Sequence, residues 1–245
     1  MKPTLFVSDL HLSAERPKRI ADFLYFLKHI ASNAQALYLL GDVFDYWLGD
    51  DALDPVYQPV IDAFSNLVAS GVTVYWIEGN RDFLVGAQFF RETGLTPLAD
   101  PTLHTLYGKA VLLSHGDTLC TDDIDYQAFR RIVRNPTYQA AFLAESIATR
   151  RTQVMNLRTQ SKQEQSHKSM LIMDVNVAAV AALFSEYPTA EILIHGHTHR
   201  PATHTVTLGE TQRMRWVLGD WYREGSYLRM DDQSLELLCL QITTL

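Results

Sequence analysis

The sequence has few cysteines and no long apolar run. Only Cys120 and Cys239 occur among 245 residues, which is too few for a disulfide framework, and they lack the CxxC spacing of a zinc knuckle or redox pair. No stretch approaches the roughly 18 consecutive apolar residues that a membrane span needs. Met1 leads into a predicted strand rather than into the apolar segment of a signal peptide. We therefore expect a cytoplasmic protein.

An excess of positive charge is also missing. The formal net charge of −7 argues against a general nucleic-acid binder, because such binding depends mainly on Lys and Arg side chains that neutralise phosphates. Hydrophobic residues make up 47% of the chain, which excludes disordered and fibrous classes. The chain has no internal repeat and no Gly/Ser-rich linker, so we expect one α/β domain over residues 1–245.

Apolar strands alternate with helical patterns through most of the chain. Between the strands, apolar residues such as Ile20, Phe23 and Leu27 recur at helix spacing. The part from 202 to 245 is predicted to form several short strands separated by turns. We therefore expect a layered sandwich of sheets and helices. Five nearly continuous apolar runs predict buried strands, at residues 4–7, 36–40, 72–77, 110–113 and 192–194.

The stretch from about 123 to 169 interrupts this alternation and is predicted to be an insertion of helices. It is basic within an acidic protein, since residues 130–168 contain eight Lys or Arg and only two acids. The helices either present these charges to an anionic ligand or surface, or pack on the domain with a solvated basic face. The eight basic residues are Arg130, Arg131, Arg134, Arg150, Arg151, Arg158, Lys162 and Lys168.

Polar clusters follow five predicted strands, where open α/β sheets gather their ligand-binding groups. Each cluster alone has an ordinary interpretation as a helix cap or a turn, and only the complete set is persuasive. Carboxylate, amide and imidazole groups are ligands of Mn, Fe and Zn, and the lack of Cys argues against a closed structural zinc site. The sequence therefore predicts an open, catalytic metal site. The clusters are Asp9-Leu10-His11, Gly41-Asp42, Gly79-Asn80-Arg81-Asp82, His115-Gly116-Asp117 and His195-Gly196-His197-Thr198-His199.

This ordered set closely resembles the calcineurin-like metallophosphoesterase family. The resemblance implies a four-layer αββα sandwich with an inserted helical lid at about 123–169, and two metal ions, usually Mn²⁺, that Asp42 bridges. His195 lies outside the family motif, and we expect it to be a satisfied or supporting histidine. The resemblance implies that one ion binds Asp9, His11, Asp42 and His199. It implies that the other ion binds Asp42, Asn80, His115 and His197.

The chemistry expected of this family is hydrolysis assisted by two ions, which activate a water and stabilise charge on the phosphoryl oxygens. Asp42 offers two oxygens for bridging, and the neutral Asn80 limits the negative charge on the second ion. Most members have a His after the Asn that donates a proton to the leaving group. Arg81 cannot donate at neutral pH, so it suits a phosphate leaving group. We therefore expect Arg81, Asp42 and Asn80 to be catalytic.

Longer matching stretches narrow the resemblance within the family. Residues 41–51, 79–84, 115–123, 172–176 and 194–201 resemble enzymes that hydrolyse UDP-2,3-diacylglucosamine to UMP and 2,3-diacylglucosamine 1-phosphate in lipid A biosynthesis. This implies peripheral binding to the cytoplasmic face of the inner membrane, without nucleic acid or an obligatory protein partner. Where this chain has Gln165, the family more often has Asn. The implied substrate contacts are Asn80, Arg81, Asp123, Ser161, Gln165, Lys168 and His197.

Two other functions are compatible with parts of this pattern. A metal-dependent phosphodiesterase or nuclease would need a basic groove and usually has His at position 81, where this chain has Arg81. A non-catalytic metal-binding scaffold typically loses ligands, whereas every ligand position here is filled. A metal-content measurement would separate the scaffold from the two enzymes.

Overall fold

The computed structural model describes residues 1–167, 172 and 174–241, with the backbone alone at 160 and 162–167. The strands are β1 (Thr4–Val7), β2 (Ala36–Leu40), β3 (Thr73–Ile77), β4 (Thr96–Pro97), β5 (Thr102–Leu106), β6 (Lys109–Ser114), β7 (Ile192–His195), β8 (Ala202–Leu208), β9 (Thr211–Val217), β10 (Ser226–Met230) and β11 (Leu235–Cys239). The helices are α1 (Pro17–His29), α2 (Gln58–Ala69), α3 (Ala87–Thr93), α4 (Ile124–Val133), α5 (Pro136–Ala144), α6 (Ile147–His167) and α7 (Val177–Glu186). Short 3-10 turns occur at Ala31–Asn33, Asp50–Ala52, Pro55–Tyr57 and Asp117–Leu119.

The strands form two sheets. The first has the order β11-β10-β1-β2-β3-β4, and the second has the order β5-β6-β7-β9-β8. In the first sheet β1, β2 and β3 are parallel, and in the second β6, β7 and β9 are parallel. The loops that follow β1, β2, β3, β6 and β7 carry the five polar clusters. The site is therefore built from both sheets rather than from one.

Side chains that alternate along β1 explain the layering. Leu5 and Val7 pack with helices α1 and α2 on the outer face of the first sheet, whereas Phe6 packs between the sheets. Helix α7 covers the outer face of the second sheet, where Phe184 packs on Leu193. The order of layers is therefore helix, sheet, sheet, helix. The predicted αββα fold is confirmed.

Helices α4, α5 and α6, here called the inserted helices, are attached through arginines to acids of the rest of the chain. Arg130 pairs with Asp117 and Arg134 with Glu78. The buried Arg150 pairs with Asp51, and Arg158 pairs with Asp45. These four side chains contact acids of the protein. Arg131 and Arg151 are exposed, and the side chains of Lys162 and Lys168 lie outside the described residues.

Candidate metal site and its cavity

The backbone of the candidate ligands is unusual. Asp9, His11, Asp42, His197 and His199 all have positive φ, at 55°, 47°, 55°, 66° and 55°. Non-glycine residues rarely occupy this region, although Asp and His tolerate it better than most. Such strained conformations cluster at functional sites, because the surrounding structure must hold them in place.

Two glycines allow the loops to approach closely enough to form the cluster. A Cβ at Gly79 would lie 2.1 Å from both the backbone nitrogen and Oδ1 of Asp42. A Cβ at Gly196 would lie 2.3 Å from Oδ2 of Asp9. No side chain fits at either position, which explains in physical terms why the third and fifth clusters contain these glycines.

Asp9, His11 and His199 form the first half of the cluster. The Nε2 atoms of His11 and His199 lie 3.2 Å apart, and both face Oδ1 of Asp9, at 3.9 Å and 3.3 Å. Oδ2 of Asp9 accepts hydrogen bonds from Ser8 Oγ at 2.6 Å and from the backbone N–H of His197 at 2.8 Å. Oδ1 is buried and accepts no hydrogen bond from the described residues. One oxygen is therefore anchored and the other is left for a cation.

Asn80, His115 and His197 form the second half. Oδ1 of Asn80 lies 2.9 Å from Nε2 of His115 and 2.9 Å from Nδ1 of His197. The opposite nitrogen of His115, Nδ1, lies 2.9 Å from the carbonyl oxygen of Leu40. Because a carbonyl oxygen only accepts, Nδ1 of His115 donates to Leu40, and Nε2 is the nitrogen that faces the site.

Asp42 lies between the two halves and is buried. Its Oδ2 is 3.8 Å from Nε2 of His11, and its Oδ1 is 3.8 Å from Nε2 of His115. The backbone N–H of Arg81 donates to Oδ1 at 2.8 Å. The two oxygens of one carboxylate are thus directed to the two halves, as a bridging ligand requires.

The electrostatics of the cluster favour a cation at its centre. Burial raises the pKa of Asp42 to about 7, and the nearby acids Asp82 and Asp9 add to this. Burial lowers the pKa of His115, but Asp42, Asp117 and Asp9 outweigh it and raise that pKa to about 9. Without a cation, the centre of the cluster therefore retains protons that a bound metal ion would displace.

The donors fit a divalent transition metal. Asp9, His11 and His199 form one group of potential ligand atoms that lie within 4.8 Å of one another, and Asp9, Asp42 and His115 form another. Oxygen and imidazole donors suit Mn, Fe and Zn. Together with the unpartnered Oδ1 of Asp9, these groups make a candidate metal-binding site of Asp and His residues.

Asp82 has a supporting role that the sequence analysis missed. Its buried carboxylate accepts from the backbone N–H groups of Gly79 at 2.9 Å and Val43 at 2.7 Å, and more weakly from those of Asp42 and Phe44 at 3.3 Å. It therefore joins the second and third loops directly behind Asp42. An acid that follows Gly-Asn-Arg is the only signal that the sequence offers for it.

Asp117 connects the second half to the inserted helices. Its buried Oδ2 accepts from the Tyr126 hydroxyl at 2.6 Å and from Nε of Arg130 at 2.7 Å. Burial raises the pKa of Asp117, but the charges of His115, His197 and Arg130 outweigh it and lower that pKa below its usual range. The ring of Tyr126 also lies 5.7 Å from that of His197.

His195 is a satisfied strand-end histidine. Its Nδ1 lies 2.9 Å from the carbonyl oxygen of Gly196, so this nitrogen donates. Its Nε2 accepts from Nη1 of Arg215 at 3.1 Å. Both ring nitrogens are therefore occupied away from the cluster, in agreement with the position of His195 outside the family motif.

A cavity of about 680 Å³ extends from the cluster beneath the inserted helices. Arg81 lines it, and its guanidinium makes no hydrogen bond or ion pair with the described residues. Asp123 and Ser161 also line the cavity, whereas the side chains of Gln165 and Lys168 lie outside the described part of the chain. Away from the cluster, its walls are mainly apolar and aromatic, with Tyr46, Trp47, Phe83, Leu84, Phe129, Val133, Phe142, Val154 and Leu157.

This arrangement of sheets and metal-binding groups defines a metallophosphoesterase. The family model for calcineurin-like phosphoesterases matches residues 2–201, and the chain belongs to that family. The family prediction is confirmed.

Curated relatives are similar over almost their entire length. A protein of Yersinia enterocolitica named UDP-2,3-diacylglucosamine hydrolase is 48% identical over 96% of this chain and 98% of its own. Proteins of the same name from Aromatoleum aromaticum and Escherichia coli are 48% and 46% identical, covering 93% and 96% of this chain and 92% and 98% of their own. Among solved structures, a predicted phosphoesterase from Streptococcus pneumoniae aligns with 96% of this chain and 87% of its own, at 15% identity and a TM-score of 0.43. Among the described residues, no helix is both long and apolar enough to span a membrane.

Proposed function

We propose that this chain hydrolyses the pyrophosphate bond of UDP-2,3-diacylglucosamine to UMP and 2,3-diacylglucosamine 1-phosphate in lipid A biosynthesis. One observation carries the proposal: a single cavity joins the Asp/His cluster to an apolar chamber. A pyrophosphate attached to a diacylated sugar has the same division into a charged and an apolar part. The names of the relatives support the same substrate.

We further propose that the cluster holds two Mn²⁺ ions. When bound, such ions supply a water of lowered pKa and stabilise charge that develops on the phosphoryl oxygens. The first ion would be held by Asp9, His11, Asp42 and His199. The second would be held by Asp42, Asn80, His115 and His197.

In this proposal Arg81 orients the carboxylate of Asp42 through its backbone and the substrate through its side chain. Its backbone N–H holds Oδ1 of Asp42, and its unpaired guanidinium faces the cavity. A planar guanidinium can donate two parallel hydrogen bonds to phosphoryl oxygens. The phosphate leaving group needs no proton from the protein, which explains why an arginine suffices at this position.

The inserted helices act as the lid in this proposal, within one catalytic domain of residues 1–245. Their apolar side chains would shelter the acyl chains, where each buried methylene contributes about 0.8 kcal/mol. Asp123 and Ser161 line the cavity at positions suited to polar parts of the substrate. The complete set of proposed substrate contacts is Asn80, Arg81, Asp123, Ser161, Gln165, Lys168 and His197.

We propose that the enzyme works on the cytoplasmic face of the inner membrane, bound peripherally, without nucleic acid or an obligatory protein partner. Arg131 and Arg151 are exposed on the inserted helices, and a basic residue near an anionic surface contributes about 1 kcal/mol. Binding to anionic vesicles that weakens in R131E/R151E would support this location. Exposed apolar side chains on the same helices include Ile124, Ile132, Leu143 and Ile147.

The test is UMP release from UDP-2,3-diacylglucosamine by the purified protein, with EDTA and with added Mn²⁺, alongside bis-p-nitrophenyl phosphate. Mn²⁺-dependent UMP release is the expected result. Cleavage of the simple diester alone would make the protein a phosphodiesterase or nuclease with the same metal chemistry. Cleavage of neither substrate would indicate a metal-binding scaffold.

A further inference from the structure

A sixth loop meets the cluster, and none of the sequence motifs includes it. This loop, residues 218–225, connects β9 and β10 and is here called the β9–β10 loop. The ring of Trp221 is buried against Phe23 and Phe26 of helix α1, at centroid distances of 5.6 Å and 5.8 Å. The backbone N–H of Trp221 donates to the carbonyl oxygen of Asp9 at 3.3 Å. The loop is therefore attached both to α1 and to the first half of the cluster.

Asp220 in this loop faces the back of a candidate ligand. Its Oδ2 lies 3.5 Å from Nδ1 of His199, whose Nε2 faces Asp9 and His11. Its Oδ1 accepts from the backbone N–H of Tyr222 at 2.7 Å, which fixes the carboxylate. A carboxylate on the far nitrogen of a metal-binding imidazole sets the tautomer and the orientation of the ring.

Tyr222 contacts both imidazoles of the first half. Its ring centroid lies 5.5 Å from that of His11, with the rings stacked at 22°, and 5.5 Å from that of His199. The guanidinium groups of Arg16 and Arg19 lie over the Tyr222 ring, at 4.9 Å and 4.6 Å from its centroid. Such cation–π contacts hold an aromatic ring in place.

Arg19 connects the Tyr222 ring to the backbone of the first loop. It is buried in the first turn of α1, and its Nη1 donates to the carbonyl oxygens of Leu10 at 3.0 Å and His11 at 3.1 Å. One guanidinium therefore fixes the backbone that carries His11 and also contacts the tyrosine that stacks on the His11 ring. Helix α1, the first loop and the β9–β10 loop form one unit behind the first half.

We propose that Tyr222 and Asp220 are positioning residues of the first ion, which hold His11 and His199 in the orientation that binds it. The inference rests on the proposed function, because it assumes that the cluster binds two ions. Tyr222 acts through its ring, and Asp220 acts through its carboxylate. Partners of this kind typically change metal affinity by about 10- to 100-fold when they are removed.

The test measures Mn²⁺ binding by calorimetry to full-length protein stripped of metal. Tyr222→Ala and Asp220→Asn are expected to weaken one of the two binding events by roughly 10- to 100-fold and leave the other unchanged. Tyr222→Phe keeps the ring and should retain the affinity of the wild type. Unchanged Mn²⁺ binding in Tyr222→Ala, with a raised KM for the substrate, would overturn the proposal and make Tyr222 a substrate contact. An equal loss in Tyr222→Phe would overturn the role of the ring.

A matched control lies in α1, where the rings of Tyr25 and His29 are tilted by 35° with their centroids 4.4 Å apart. Tyr25→Ala removes a tyrosine–histidine contact outside the cluster and should leave Mn²⁺ binding unchanged. Thermal unfolding of each variant checks that the fold is intact. If the wild type neither binds two ions nor releases UMP, the proposed function fails. If it does both and Tyr222→Ala binds both ions normally, only this inference fails.

Discussion

The two halves of the candidate metal site are supported by different parts of the chain. The first half, Asp9, His11 and His199, is backed by helix α1 and the β9–β10 loop. The second half, Asn80, His115 and His197, is backed by Asp117, which the inserted helix α4 contacts. A displacement of α4 therefore reaches the second half and leaves the contacts of the first half in place. The inserted helices therefore reach the two halves at different points, α4 through Asp117 and α6 through Arg158 and Asp45, whose Oδ1 lies 4.0 Å from Nδ1 of His11.

The two histidines within each half differ in how they hold protons. Burial lowers the pKa of His11 well below its usual value, so this ring is neutral and ready to bind a cation. His115 in the second half has a raised pKa of about 9, because Asp42, Asp117 and Asp9 outweigh its burial. His199 in the first half also has a raised pKa, because Asp9 and Asp220 outweigh its burial, whereas burial lowers the pKa of His197 in the second half to about 4. Each half therefore combines a neutral ring with one that holds a proton, which a cation would displace.

Removal of the Asp42 carboxylate should disable both halves of the site. Asp42→Ala takes away a carboxylate whose two oxygens face His11 and His115. We expect kcat/KM for UMP release to fall by on the order of 10²- to 10³-fold, which corresponds to several kcal/mol of charge stabilisation. Steady-state kinetics and metal content after dialysis measure the effect. Near-normal turnover would rule out the two-ion assignment.

Substitution of Arg81 should slow the reaction while both halves still bind metal. Arg81→Ala removes the guanidinium that faces the cavity but keeps the backbone N–H that orients Asp42. Hydrogen bonds to charged groups contribute about 1.5–3 kcal/mol, so kcat/KM should fall by roughly 10- to 100-fold. Arg91→Ala, on the exposed part of α3, is the control. An unchanged rate in Arg81→Ala would exclude Arg81 from catalysis.

Tyr126 offers a contrast with Tyr222, because it supports the second half through its hydroxyl. Tyr126→Phe removes the 2.6 Å hydrogen bond to Asp117 and should weaken one Mn²⁺ binding event by roughly 10-fold. Tyr222→Phe should not weaken either Mn²⁺ binding event. A double-mutant cycle with Asp117→Asn tests whether the effect passes through that carboxylate. Additive losses in the cycle would show that Tyr126 and Asp117 act independently.

The sequence alone predicts the ligands better than their supports. Asp9, His11 and Asp42 lie in short motifs directly after apolar strands, so local pattern is enough to identify them. Asp220 and Tyr222 have no such signal, since they reach His199 and His11 only because Trp221 packs on α1, about 200 positions away along the chain.

The partners of the basic side chains could not be predicted from the sequence either. A run of Arg residues on predicted helices is compatible with solvent, an anionic ligand or acids of the same protein. The structure shows that Arg134 and Arg150 pair with Glu78 and Asp51. Strand β5 was not predicted either, because its residues are mostly half-buried and lack a continuous apolar run.

The smallest expected effect is a difference between metal-free and Mn²⁺-loaded protein in how the stability of the fold depends on pH. A group whose pKa is raised by folding stabilises the fold below its usual pKa, and that contribution is lost as pH rises through the folded value. For Asp42 this interval runs from 3.8 to about 7, and for His115 it runs from 6.5 to about 9. His11 and His197 have lowered pKa values, so both rings are neutral above pH 6.5 in the folded and in the unfolded protein. The metal-free protein should therefore become less stable between pH 6.5 and 9.

Thermal unfolding with EDTA measures this loss, and His115→Asn should reduce it, with the remainder contributed by His199, whose pKa is also raised. With Mn²⁺ the trend should be weaker or reversed, since protons compete with the ions for the same nitrogen and oxygen atoms. A metal-free protein whose Tm rises from pH 6.5 to 9 would contradict a retained proton on His115. A cation would then have no proton to displace from that ring.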